Sequence, residues 1–382
     1  MTDSSAKTGP LGGIMVIELA GIGPGPYTGQ LLADMGADVV VIDRPGGGMP
    51  KAVDGRGKRS IVLDLKKPEA VETLLKLVAK ADVLIEGLRP GVTERMGVGP
   101  DACHAVNPGL IYGRMTGWGQ SGPWSHMAGH DINYISMTGV LNAIGKDGQP
   151  PVPPLNMVGD FGGGSMFLLS GILAALIERE RTGKGNVVDA AIIDGTHSLM
   201  SFVHGMAGLG QWQTKREANL LDGAAPFYRC YMTADGKFMA VGCIESQFFA
   251  AMMERLPIDQ EAFGHQHDMA ARAKQHEMLE DVFATKTRDE WEAIFAGTDA
   301  CVTPVLDYVE AAAHPANAER QAVVQDGRWL HPQIAPRLAT QPLASHFEIA
   351  TKGGDYAAIL AGAGLGESDI SQLIAAGAVI AN

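Results

Sequence analysis

Residues 14–44, IMVIELAGIGPGPYTGQLLADMGADVVVIDR, decide the fold. They pass from an apolar β-rich segment through a glycine-rich turn and a helical pattern to a second apolar β-rich segment. That is the order of a βαβ unit. Gly21-x-Gly23-x-Gly25, with Asp43 about 20 residues on, has the outline of a dinucleotide fingerprint. Two residues weaken that outline, because Pro24 and Pro26 lack the backbone N–H groups that would cradle a pyrophosphate. A tight strand-to-helix turn needing small residues is the simpler reading. Arg44 next to Asp43 suits a phosphate better than an unmodified ribose.

The alternation continues outward from this stretch through PEAVETLLKLVAKA, DVLIEG and GLIYGRM, so the first half of the chain is predicted to build a parallel sheet. After the loop GQPPVPPLN, the run DFGGGSMFLLSGILAALIERERTGKG predicts a long apolar helix with a glycine-rich entry and a charged exit. NVVDAAIIDGTHSLM follows it. FYRCYMTADGKFMAVGC has two short β-rich runs around an ADG turn, the pattern of a hairpin, and helical stretches such as DEWEAIFAG come next. The expected division is a large α/β domain from residues 1–205 and 335–382, a linker at 206–224 and a small α+β domain at 225–330. No internal repeat or low-complexity tract interrupts it.

The chain has 382 residues, 46% of them hydrophobic, and a formal net charge of −13. It can bury a large core, and its acidity argues against nucleic acid or an anionic membrane surface as a partner. The four cysteines are widely spaced and show neither a disulfide framework nor a metal-binding spacing, which fits a reducing compartment. The first residues, MTDSSAKTGP, contain no apolar signal core, and GAVIAN is not a peroxisomal address. A soluble cytoplasmic protein is the expectation.

Charge locates a candidate anion site. Between Val41 and Pro100, 11 lysines and arginines stand against 8 aspartates and glutamates, an excess of basic residues within an acidic chain. Arg44, Arg56, Lys58, Arg59, Lys66, Arg89 and Arg95 could supply the donors that a polyphosphate needs. A solvated charged face is the alternative. Three further residues could do chemistry. His130, in AGHDINYIS, is an imidazole able to exchange a proton near neutrality. Asp160, in DFGGGSM, is either a helix N-cap or a catalytic carboxylate, and the glycines after it could leave N–H groups free for an oxyanion. Glu245, in VGCIESQFF, reads by itself as another capping carboxylate. No HExxH or Cys/His spacing marks a metal site, and no GxSxG elbow or P-loop lysine pattern occurs.

Taken together and in order, ELAGIGPGPYTGQLLADMGADVVVIDRP, RGKRSIVLDLKK, EGLRPGVTERMG, TGWGQSGP, AGHDINYIS, NMVGDFGGGSMFLL and GKGNVVDAAIIDG resemble the family III CoA-transferase (CaiB/BaiF-type) superfamily. Within it, the chain is similar to the racemases of 2-methylacyl-CoA thioesters. The resemblance runs on through AVGCIESQFF and DACVTPVL and fades after about residue 335. It implies an interlocked homodimer, each chain with a Rossmann-like large domain and a small domain, and no cofactor beyond the CoA carried by the substrate. Carried over residue by residue, His130 and Asp160 are the acid/base pair and Glu245 orients the imidazole. His130 then serves the S epimer and Asp160 the R epimer. Arg44, Leu63, Asp64, Leu65, Lys66, Gly87, Leu88, Arg89, Arg95, Gly129, His130, Asp131, Ile132, Asn133 and Tyr134 line the CoA site. The chain departs from the family pattern at Leu88, where an aromatic residue can occur, and in the longer segment GGGMPKAVDG. Met127, Met157, Met166, Met200 and Met206 could form a pliable apolar surface for a sliding acyl chain. A transferase of the same fold, with Asp160 as nucleophile, is the rival reading. A silent acyl-CoA-binding protein and a dehydrogenase stand further off.

Overall fold

The computed structural model describes residues 9–47 and 51–381. The N-terminal residues 1–8 and residues 48–50 of the GGGMPKAVDG segment lie outside them. The chain forms two compact units: residues up to Thr138, Leu155–Leu199 and Ala318 onward make one, and Gly139–Pro154 with Met200–Asn317 make the other.

The first unit is built on a seven-stranded sheet. Its parallel strands are β1 (Met15–Leu19), β2 (Asp38–Asp43), β3 (Lys58–Leu63), β4 (Val83–Glu86), β5 (Ile111–Thr116) and β6 (Asn186–Ala191). They lie in the order β3-β2-β1-β4-β5-β6, and the short strand Val379–Ile380 joins β3 antiparallel at the edge. This is the doubly wound order with its switch point between β1 and β4. Successive strand residues point to opposite faces, so Ile17, Val40 and Ile61 pack with Leu74 and Leu77 of the Pro68–Val78 helix. Val16, Val39, Val83 and Ile111 pack on the other face with Leu32 of the Pro24–Asp34 helix and with Leu168 and Ile172. Each such side chain contributes roughly 1.5–3 kcal/mol by leaving water. Covering on both faces is why these strands read as unbroken apolar runs rather than alternating ones.

The glycine-rich run does not begin the long helix as a simple N-terminus. Met157–Ser165 is a π-helical segment that passes directly into the α-helix Met166–Thr182. The combined stretch Met157–Thr182 has the length and composition to cross a membrane. Here, however, it supplies Leu168, Leu169, Ile172, Ala175 and Leu176 to the core of the first unit.

The second unit contains an antiparallel three-stranded sheet of β7 (Tyr228–Met232), β8 (Phe238–Gly242) and β9 (Val302–Pro304). The predicted hairpin is present, pairing Tyr228 with Gly242 and Met232 with Phe238. Its core is aromatic: Tyr231 stacks on Phe283 at 5.2 Å, and the buried Trp291 donates its indole N–H to the Phe283 carbonyl at 2.9 Å. Arg216 donates to the carbonyls of Asn142, Lys146 and Gln149, which ties the 139–154 segment into this unit.

Candidate active site

A cavity of about 910 Å³ opens at the carboxyl ends of β1, β2, β4 and β5, on the switch point of the sheet. Its floor holds the turn Gly21–Pro26. Its walls carry Arg44, Gly87–Pro90, Gly117–Trp118, Gly129, His130, Tyr134 and Asp160.

The turn does a different job from the one its glycines suggest. Gly23 has φ 71°, a conformation that favours glycine, and a Cβ placed there would lie 3.1 Å from Asp160 Oδ2. Pro24 opens the following helix, where its missing N–H costs nothing. Ser165 donates its hydroxyl to the Pro24 carbonyl at 2.8 Å, tying this turn to the π-helical segment. The turn therefore presents itself to a carboxylate, and the dinucleotide reading loses its main support. Asp43 is also occupied, accepting Lys51 Nζ at 3.0 Å and the Ser60 hydroxyl at 2.6 Å.

Asp160 is half-buried and is the fourth residue of the π-helical segment, whose N-cap is Asn156. The N-cap reading of Asp160 is thereby corrected. Burial pushes its carboxyl pKa above the ordinary value, and the negative charge of Asp131 pushes the same way; the Asn156 amide and His130 pull it back. The N–H groups here are also not the free donors expected from sequence. Asp160 N–H donates to Asp131 Oδ1 at 2.7 Å, and Phe161 N–H donates to the Asn156 carbonyl. The glycines that follow serve packing, since a Cβ on Gly163 would meet Thr196 Oγ1 at 2.4 Å.

His130 is exposed and is the N-cap of the helix Asp131–Ser136. Its N–H donates to Asn133 Oδ1 at 3.1 Å, and its carbonyl accepts the Asn133 N–H at 2.8 Å, which fixes the backbone from which the imidazole projects. Tyr134 secures the preceding loop. Its hydroxyl donates to the Gly129 carbonyl, and its ring meets Trp118 edge-on at 4.8 Å. Burial raises the Tyr134 pKa, and the charge of Asp160 adds to the effect.

The basic residues divide into two sets. Arg56 is buried against Asp34, Lys58 against Glu18, and Arg59 is paired with Asp38. These three do not offer free charge to a ligand, a correction to the reading of the whole run as one anion patch. Arg44, Lys66, Arg89 and Arg95 are exposed, and among the described residues none of them makes an ion pair. Arg44 and Arg89 line the cavity together with Gly87, Leu88, Gly129, His130, Tyr134 and Asp160. Leu63, Asp64, Leu65, Lys66, Arg95, Asp131, Ile132 and Asn133 do not line it. Leu63 belongs to the core, and Asp131 is buried beneath Asp160. Of the five methionines expected at an acyl surface, Met127 lines the cavity, where Met115 joins it; Met157 and Met166 are exposed elsewhere on the first unit, and Met200 and Met206 belong to the second.

Glu245 lies in the second unit. It occupies the N-cap position of the helix Ser246–Met253, yet its exposed side chain makes no capping hydrogen bond. Gln266 holds the strand-to-helix passage before it by donating to the carbonyls of Cys243 and Ile244. Sequence reasoning missed Asn156, 3.5 Å from the Asp160 carboxylate, and the part played by Asp131. The only available signal was Asp131's place next to His130. Among the described residues, no cluster of three or more His, Cys, Asp or Glu could hold a metal ion.

Fold and site together define a mixed α/β chain of two units with a carboxylate and an imidazole in a cavity bordered by free arginines. The chain belongs to the CoA-transferase family III, whose model matches residues 11–348. It is 45% identical over 365 residues to the alpha-methylacyl-CoA racemase of Mus musculus, covering 95% of this chain and 96% of that one. It is also 45% identical over 339 residues to the alpha-methylacyl-CoA racemase of Homo sapiens, covering 88% and 89%. Among solved structures, a CAIB/BAIF family protein from Brucella suis matches with a TM-score of 0.80 at 27% identity, covering 93% of this chain and 99% of that one.

Proposed function

We propose that this chain is a racemase that inverts the α carbon of 2-methylacyl-CoA thioesters. The observation that carries the reading is the presence of His130 and Asp160 on one cavity beside the free guanidinium groups of Arg44 and Arg89. Racemisation requires a proton to leave one face of the α carbon and another to arrive on the opposite face, through a planar enolate. One group cannot serve both faces, so two are needed. His130 takes the proton from the S epimer and Asp160 from the R epimer, and each returns a proton in the opposite direction. The raised pKa of Asp160 suits this work, because a carboxylate made more basic by burial is a better proton acceptor. Arg44 and Arg89 hold CoA phosphates, with Lys66 and Arg95 as further unpaired cations along the same stretch of chain. The 45% identity to two racemases supports this reaction over acyl transfer with Asp160 as nucleophile.

The rest of the reading is also a proposal. The working enzyme is a homodimer in which Glu245 orients the His130 imidazole. It acts in a reducing, aqueous compartment such as the cytoplasm, and CoA enters as part of the substrate, with no separate cofactor. The test is exchange of the α hydrogen of each pure 2-methylacyl-CoA epimer in deuterium oxide. His130→Ala should stop exchange from the S epimer while leaving exchange from the R epimer, and Asp160→Asn should do the reverse. Each loss should be about 10²- to 10⁴-fold. A transferase would leave the α hydrogen unexchanged, and equal slowing of both epimers by His130→Ala would overturn the two-base assignment.

A further inference from the structure

Asp131 follows His130 directly, yet its side chain turns away from solvent and is only 8% exposed. Its Oδ1 accepts the Asp160 N–H at 2.7 Å. The approach is close: a Cβ on Gly159 would lie 2.3 Å from Oδ1, so a glycine there is what admits the carboxylate. Oδ2 is buried and has no hydrogen-bond partner among the described residues. A buried acceptor without a partner is costly, more so when it carries charge. An amide oxygen at this position could receive the same N–H group without that charge. The hydrogen bond alone therefore does not account for a carboxylate.

We propose that Asp131 is a positioning residue for Asp160: it pins the first turn of the Met157–Ser165 segment to the helix that begins after His130, and it places a buried negative charge beside the Asp160 carboxyl group. One side chain thus couples the segments that carry both proposed bases. This inference rests on the proposed function for its kinetic meaning, but the coupling itself can be read without turnover.

The groups facing Asp160 are few. Asp131, His130 and Tyr134 come from the 131–136 side, and the Asn156 amide comes from its own segment. The Pro24–Asp34 helix meets the segment through Pro24 and Tyr27, with the Tyr27 ring 4.6 Å from that of Phe161. The Ile192–Leu199 helix meets it through Ile192, Gly195 and Thr196. Asp131 and His130 act on Asp160 electrostatically, in opposite directions. Removing the charge of Asp131 should therefore lower the Asp160 pKa. As a base, Asp160 would then stay ionised to lower pH and be intrinsically weaker.

The experiment compares the full-length wild type with Asp131→Asn, which keeps an acceptor oxygen, and Asp131→Ala, which removes it. Infrared titration follows the protonated carboxyl band of Asp160, identified by its loss in Asp160→Asn. The midpoint should fall in Asp131→Asn. In deuterium exchange from the R epimer, the acid limb should move to lower pH and kcat should fall about tenfold or more with little change in KM. The pH limb for the S epimer, which reports on His130, should move less. Asp131→Ala should lose a further factor, up to about 10², because the carboxylate is then mispositioned as well. An Asp160 midpoint unmoved in Asp131→Asn, or equal losses on both epimers with a raised KM, would overturn the proposal. If the wild type exchanges no α hydrogen, the racemase reading fails, and the infrared midpoint still decides whether Asp131 acts on Asp160.

Discussion

Lys58 and Arg89 are both cations on the border of one cavity, yet they have opposite fates. The Lys58 side chain is 1% exposed, and its ammonium lies 2.7 Å from Glu18 and also donates to the Pro26 carbonyl, so its charge is spent inside the fold. Arg56 is similar: its guanidinium reaches Asp34 at 2.6 Å and lies 4.1 Å from the centre of the Phe347 ring. Arg89 and Arg44 stand exposed on the rim with no ion-pair partner among the described residues. The difference is one of solvation. A buried cation must be neutralised where it stands, whereas an exposed one keeps its field for a ligand. Local charge density along a chain therefore overstates the size of an anion site.

The largest expected effect tests the buried set. Lys58→Ala leaves the Glu18 carboxylate buried without its partner and should destabilise the fold by about 3–5 kcal/mol. Urea denaturation gives the value. Converting the pair together, as Lys58→Met with Glu18→Gln, should recover much of the loss. A Lys58→Ala protein as stable as the wild type would erase the distinction between the two sets.

A smaller effect is expected from the free set. Arg44→Ala and Arg89→Ala should each raise KM for an acyl-CoA about tenfold, with kcat and the unfolding midpoint nearly unchanged, because contacts to the nucleotide hold ground and transition states alike. Steady-state kinetics with a thermal melt separates these outcomes. A depressed kcat at constant KM would remove both arginines from the phosphate-binding role.

The smallest effect sharpens the comparison by salt. Raising ionic strength should increase KM for the acyl-CoA by a few-fold, since exposed charges are screened over about 10 Å at 0.1 M. A truncated pantetheine thioester without the nucleotide phosphates should show no such slope. Neutralising Lys66 and Arg95 together should flatten the slope for the full substrate. An equal slope for both substrates would place the salt effect elsewhere.

Much of this protein was legible before its structure. The βαβ alternation predicted a parallel sheet, because apolar periodicity and turn residues are local properties of the chain. The prolines at 24 and 26 argued against a pyrophosphate cradle, because a missing N–H is missing in any fold. Order along the chain does not set order across a sheet, so only the tertiary structure placed β1 beside β4 and opened the cavity there. It also decided that Asp160 sits inside a π-helical segment rather than at a helix cap, and that its N–H is taken by Asp131, 29 residues earlier. Which lysines and arginines are spent in the core was likewise settled only by packing. Burial and pairing depend on residues distant in sequence, such as Asp34 with Arg56 and Glu18 with Lys58, and no local pattern encodes those distances.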